Sequence, residues 1–246
     1  AITNNDYLSN FLIEVLRLIV AFCAALLIII LAVNIEIINK KIFAECYLAP
    51  IKDFFERYKL KLALFLILLI CLYRISDIML GVIANIFYQD IGFNKIEIAS
   101  IVKTYGLFMT ILGGFIGGVL SIRFGLMRIL YLGAILTVIT NLLFMLLSTY
   151  GYSPSLLYFV ISADNLTAGI ASAAFVAFLS RLTNISFTAM QYAIFSSLMT
   201  LIPKISAGYS GSIVESIGYT NFFLIASLLG IPVLLVIYFT NKNLKY

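Results

Sequence analysis

Residues 60–88 read LKLALFLILLICLYRISDIMLGVIANIFY, and only Lys61, Arg74 and Asp77 in that stretch are charged. At 1.5 Å rise per residue, about 20 apolar residues cross a hydrocarbon core about 30 Å thick, so the stretch predicts a membrane-spanning helix. The whole 246-residue chain has the same character: 63% hydrophobic, 11% charged, with a mean hydropathy of +1.12. A soluble domain carries about 25% charged and 45–50% apolar residues. Such values exclude a soluble globular enzyme, a disordered chain and a collagen-like chain. They also argue against a porin-type barrel, whose strands alternate over about ten residues. The fold class expected is all-α, a polytopic helical membrane protein.

Seven apolar stretches are long enough to span: residues 11–33, 60–88, 96–121, 128–147, 155–179, 188–213 and 221–240. Between the first two lies the one long connection, residues 34–59. There Lys40, Lys41, Glu45, Lys52, Asp53, Glu56, Arg57 and Lys59 interleave with Phe43, Leu48, Ile51, Phe54 and Phe55. That pattern predicts an amphipathic segment at the membrane surface. The organisation expected is a preceding helix in 1–33, a linker in 34–59 and a six-helix bundle in 60–246. A chain opening on Ala1 instead of Met suggests a processed chain or a piece of a longer one.

Lysine and arginine collect in cytoplasmic loops, which accounts for the net charge of +5 without invoking nucleic acid. If 34–59 is inside, that side holds Lys40, Lys41, Lys52, Arg57, Lys59, Lys61, Arg123, Arg128, Arg181, Lys242 and Lys245, against Lys95 alone outside. The amino end is then outside and the carboxyl end inside. Arg17, Arg74, Lys103, Lys204, Asp77 and Asp164 fall within the spans. Each costs at least about 2.5–3.5 kcal/mol at membrane depth and defaults to a functional role.

The six later spans divide into two triplets of opposite orientation, the layout of an inverted repeat. The first helix of each triplet carries an aspartate, Asp77 or Asp164, and the second a lysine, Lys103 or Lys204. The third helices have no interior charge. First and second helices therefore read as cavity-facing and third helices as lipid-facing. Arg74 lies about 21 Å from the inner face and Asp164 about 14 Å from the outer face at helical rise, near the midplane where transporters bind substrate and coupling ions. Arg74 and Asp77 share a helix face at i,i+3. Arg74, Lys103 and Lys204 against Asp77 and Asp164 leave one positive charge, which favours an anionic ligand. The alternative is a set of ion pairs that locks the helices together. Asn85 and Asn165 add amide groups that serve either role.

A carboxylate linked to binding would couple transport to protons, and with no histidine in the chain Asp77 and Asp164 are the candidates. Gly106, Gly113, Gly114, Gly117 and Gly118 in the third span, and the small residues from Ala168 to Ala174 in the fifth, predict close helix packing. Pro203, Gly208 and Gly211 mark the sixth span for a break. Tyr73, Tyr105, Tyr192 and Tyr209 offer hydroxyls to a sugar. Cys23, Cys46 and Cys71 are too few and scattered for a disulfide frame or a metal centre, so no metal or cofactor is expected. Phosphate-loop, HExxH, GxSxG and CxxC motifs are absent. Ser76-Asp77-Ile78 and Ala163-Asp164-Asn165 do not match the motifs of intramembrane aspartyl proteases, and the last span lacks the lysine of a retinal protein.

Residues 118–125, GVLSIRFG, followed by Arg128, resemble the cytoplasmic signature of the major facilitator superfamily, in which a glycine, three residues, Asp-Arg, one residue and a glycine succeed one another. Gly118, Arg123, Gly125 and Arg128 match, and Ile122 stands at the acidic position. The resemblance makes those four the candidates for a conformational loop. Residues 73–77 (YRISD), 87–93 (FYQDIGF), 162–166 (SADNL) and 191–198 (QYAIFSSL) resemble the AmpG-type muropeptide permeases of bacterial inner membranes. That similarity covers roughly residues 60–240 and adds Gln191 to the candidate residues.

The resemblance implies a facilitator-type bundle that imports anhydromuropeptides, anionic sugar-peptides from the cell wall, with protons. It implies a site among Arg74, Asp77, Asn85, Lys103, Asp164, Asn165, Gln191 and Lys204, in a multi-pass inner-membrane protein whose amino end is periplasmic and carboxyl end cytoplasmic. Permeases of this type have two six-helix bundles. The chain is therefore expected to work with a missing amino-terminal half or a second copy. The competing expectations are a non-transporting remnant or assembly subunit, and a membrane-embedded enzyme.

Overall fold

Without water in a bilayer core, backbone N–H and C=O groups are satisfied within the segment, so apolar runs of this length fold as helices. The computed structural model describes residues 4–244, and its described elements are helical throughout. They are α1 (Asn4–Asn34), α2 (Lys40–Phe43), α3 (Ala49–Leu72), α4 (Ile75–Asp90), α5 (Lys95–Glu97), α6 (Gly106–Phe124), α7 (Leu126–Tyr150), α8 (Pro154–Leu182), α9 (Thr188–Ala207), α10 (Ser210–Leu228) and α11 (Gly230–Asn243). π-Helical stretches Ala44–Leu48 and Ile98–Tyr105 join α2 to α3 and α5 to α6. Among the described residues, seven stretches are long and apolar enough to cross a membrane.

Short turns set the directions. Gly125 alone separates α6 from α7, at φ 91°, a conformation that side chains with a Cβ rarely adopt. Asn94 caps α5, with Glu97 reaching back to its N–H as a capping box. Ser153 caps α8 ahead of Pro154 at the first helical position.

Two apolar clusters form the core. One contains Leu66, Ile70, Leu130, Phe175, Phe178, Phe195 and Val236; the other contains Leu80, Ile83, Phe87, Phe144, Val160, Ala207 and Phe223. The first lies toward the end that carries Arg57, Arg123, Arg128 and Arg181, here called the basic end. From α9 through α11 the chain passes from the first cluster to the second and back, with Gly218 (φ 78°) dividing α10 at the far end. At that end the Tyr219 hydroxyl donates to Asp90 and Ser148 bonds Thr220 at 2.9 Å.

The second, sixth and seventh spans are interrupted, and of these only the sixth is marked for a break in the sequence. The second stops at Tyr73 and Arg74, between α3 and α4, where Arg74 has φ −104° and ψ 9°. No proline or glycine marks that place. In the sixth span α9 runs through Pro203 and ends at Ala207, so of the residues that mark the break it is Gly208, with Tyr209 after it, that makes it. The seventh is interrupted at Leu229.

The tightest helix pairing is α6 against α8. A Cβ on Gly113 would drive into the Leu166 backbone, and one on Gly117 would lie 2.7 Å from the Ile170 Cα. Gly169 of α8 reciprocates, since a Cβ there would lie 2.6 Å from the Gly114 nitrogen. Away from that seam α6 exposes Leu107, Phe108, Ile111 and Phe115. The third helix of the first triplet, α7, corrects the expected lipid-facing role. It packs against α8, α10 and α11 and buries Thr137, Thr140 and Asn141. By contrast α1 exposes Leu16, Leu27 and Ile28, and its one substantial contact is with α2.

Residues 40–58 form a continuous helical segment that bends at Lys59 (φ 55°, ψ 160°). The segment is fastened to the loop between α8 and α9. Arg57 pairs with Asp53 at 2.9 Å and donates to the Leu182 carbonyl and Gln191 Oε1, both at 3.1 Å. Gln191 Nε2 donates to the Pro50 carbonyl and to Asp53, each at 2.8 Å, while Asn184 donates to Asp53 and, from its backbone, to Gln191. Phe54 packs on Phe195 beneath this network.

Two outcomes follow from these contacts. Gly113→Val should force α6 from α8 and lower stability by about 1–3 kcal/mol, whereas Gly114→Ala, whose methyl meets open space, should not lower it; thermal unfolding of the purified chain in detergent measures both. Gln191→Ala leaves several partners unpaired and should reduce stability by about 1–3 kcal/mol. Trypsin cleavage after Lys52, Arg57 and Lys59 should then run faster than in the parent chain.

Candidate functional site

The break in the second span opens onto a cavity of about 230 Å³ lined by side chains from α4, α7, α8 and the π-helical stretch before α6. Arg74 projects from the break itself. Its Nε lies 3.7 Å from Asp77 Oδ2, one helical turn on, and its guanidinium donates to Ser172 Oγ at 3.0 Å. The same Nε is buried without a hydrogen-bond partner, which leaves a charged donor available beside the cavity.

Hydrogen bonds to three helices hold the break. The Tyr73 hydroxyl donates to the Leu130 carbonyl at 3.2 Å, and its ring stacks on Phe175 with centroids 4.5 Å apart. Ser76 donates to the Ala226 carbonyl and accepts from Asn141 Nδ2, both at 2.5 Å. Tyr73 is thereby committed to the fold and is not a free hydroxyl for a sugar. Tyr105 bonds Ser162 at 2.8 Å.

Across the cavity stand Asp164 and Asn165 of α8. Asn165 donates to the Ile161 carbonyl at 3.0 Å and accepts from Thr110 at 2.9 Å, which fixes its amide against α6. Asp164 is within electrostatic range of Asp77, and Thr140 and Thr137 stand beside the two carboxylates respectively. Lys103 reaches the same space from the π-helical stretch, a geometry enriched at functional sites. Asn85 lines the wall one turn before Gln89.

Of the eight residues expected at the site, the cavity gathers Arg74, Asp77, Asn85, Lys103, Asp164 and Asn165. Two lie elsewhere. Gln191 is 1% exposed and held in the network that fastens residues 40–58. Lys204 lines a separate depression with Ser197, Thr200 and Leu201. Without Lys204 the charge balance changes from the expected excess of one cation: Arg74 and Lys103 face Asp77 and Asp164, two against two. A protein interior at low dielectric disfavours any larger imbalance.

Of the four loop residues, Arg123, Gly125 and Arg128 line one cavity, and Gly118 lies outside it. Gly125 makes the turn between α6 and α7, Arg123 and Arg128 line a second cavity at the basic end, and Gly118 faces open space. Among the described residues neither arginine forms an ion pair. The sequence reading missed Asn141, Thr137, Thr140 and Ser172. Their signal was present: 137, 140 and 141 follow the i, i+3, i+4 spacing that puts polar groups on one helix face.

A profile of the Major Facilitator Superfamily matches residues 66–245. The protein named "Putative transporter AmpG 4" of Rickettsia conorii is 31% identical over 99% of this chain and 59% of its own length. "Putative transporter AmpG 1" of Rickettsia prowazekii is 33% identical over 80% of this chain and 46% of its own. An uncharacterized protein of Haemophilus influenzae is 32% identical over 80% of this chain and 48% of its own. The chain thus spans about half the length of the curated relatives it matches. By the superfamily match, which runs from the second span through the last, this chain belongs to the Major Facilitator Superfamily of membrane transporters.

Proposed function

We propose that this chain forms part of a proton-coupled secondary transporter that imports anhydromuropeptides, anionic cell-wall sugar-peptides, across the bacterial inner membrane. A further bundle, either an amino-terminal half or a second copy, completes the substrate path. The observation that carries this reading is the charge arrangement of the cavity, with Arg74 and Lys103 opposed by Asp77 and Asp164.

With both carboxylates ionised that set is neutral. One proton on either aspartate leaves a single positive charge, and an anionic substrate restores the balance. Charge bookkeeping in a low-dielectric space therefore favours proton and anion entering together. The Arg74 Nε, buried and without a hydrogen-bond partner, supplies the donor that a substrate carboxylate takes up. Asn85 and Asn165 add amides suited to sugar hydroxyls and peptide carbonyls. AmpG in the names of the relatives points to the same substrate class, and the resemblance of residues 73–77 and 162–166 to the muropeptide permeases agrees with it.

The test is uptake of labelled anhydromuropeptide by cells that lack their own importer and express the full reading frame. Uptake should follow an imposed pH gradient. Asp164→Asn should remove the gradient dependence, and Arg74→Gln should raise the half-saturating concentration by about tenfold or more, as expected for loss of one charged hydrogen bond. No gradient-driven uptake by the parent chain would overturn the substrate, and chemical conversion without net movement would indicate an enzyme.

A further inference from the structure

The cavity at the basic end is a charged feature that the transport reading leaves unused. It encloses about 500 Å³, and three guanidinium groups line it: Arg123 at the end of α6, Arg128 in the first turn of α7 and Arg181 at the end of α8. Asn241 of α11 also lines it, and no acidic residue is among its lining. No side chain caps the start of α7 at this point, so the first-turn N–H groups of that helix lack a side-chain acceptor.

An apolar groove of about 220 Å³ continues directly from this cavity between α7 and α11. Met127, Arg128 and Asn241 line both spaces. Beyond them the groove is walled by Tyr131, Ile237 and Tyr238. Tyr131 lies three residues from Arg128 and Tyr238 three from Asn241, so the apolar walls sit about one helical turn, roughly 5 Å, deeper than the cationic mouth. Tyr131 and Tyr238 are exposed, on a surface that also presents Leu235 and Phe239.

A soluble anion has no use for the groove, and a neutral lipid has no use for three arginines. We propose that this site binds an anionic phospholipid. Arg123, Arg128 and Arg181 hold the phosphate, for which the guanidinium fork is suited. The first stretch of one acyl chain lies along Tyr131, Ile237 and Tyr238. Such a lipid would bridge α6, α7, α8 and α11 at one end and bring negative charge to a cavity whose lining is cationic.

The full chain, purified and delipidated in a neutral detergent, is the material for the test. Phosphatidylglycerol should raise its unfolding temperature and remain bound in native mass spectrometry at one molecule per chain. Arg123→Gln and Arg128→Gln should each weaken that binding about fivefold, the factor expected for one basic residue near an anionic headgroup. Arg128→Lys, which keeps the charge, should retain most of it. Equal stabilisation by phosphatidylcholine would overturn the proposal. So would a full shift with glycerol phosphate, which would make this a site for soluble anions. Glutamine variants that unfold at the parent temperature without lipid and still bind phosphatidylglycerol normally would overturn it as well.

Discussion

A helix interrupted inside a bilayer releases polar groups with no water to receive them. The interruption at Tyr73 and Arg74 satisfies that constraint by reaching three other helices. The Tyr73 hydroxyl goes to Leu130 of α7, Arg74 to Ser172 of α8, and Ser76 to Ala226 of α10 while accepting from Asn141 of α7. An apolar cluster closes the layer on each side. The cavity opens beside this break, with Arg74 and Asp77 in its lining, and the same bonds tie the surrounding helices together.

Charge is treated differently at the two depths. Near the break the cavity lining holds two cations and two carboxylates, because an unbalanced charge in that medium is expensive. At the basic end Arg123, Arg128 and Arg181 converge with no acid in the lining of their cavity. Water and lipid headgroups at that level make such a cluster affordable. The excess of lysine and arginine in the composition is thus confined to where solvent or lipid can answer it.

The spans were legible because hydropathy over 20 residues depends on little else, and the glycines of α6 announced its close seam with α8. The break at Arg74 was not legible, since neither proline nor glycine stands at 73 or 74 and the bonds that sustain it come from residues 98 and 150 positions away in the chain. In the sixth span the break was legible from Gly208, while α9 absorbs Pro203 without stopping. Of the site, the intramembrane charges identified the cavity, but helical spacing along one span says nothing about which wall a neighbouring span presents. Lys204 accordingly lines a separate depression, and Gln191, a candidate through the family resemblance alone, lies in the network that fastens residues 40–58. Asn141 and its two threonines were passed over because uncharged polar residues in a leucine-rich helix draw no attention in a search for charge.

The glycine seam has a mechanical consequence. Two helices whose backbones touch at Gly113, Gly117 and Gly169 have no side chains between them to slide over, and interdigitated backbones shift only by separating. α6 and α8 therefore move as one stiff plank. Asp164 and Asn165 keep their distance from the seam whatever the rest of the bundle does. A change in the shape of the cavity must come from the α4 side, where Arg74 and Asp77 sit just beyond a ready-made flexure in the chain. One wall is an anvil and the other a hinged jaw.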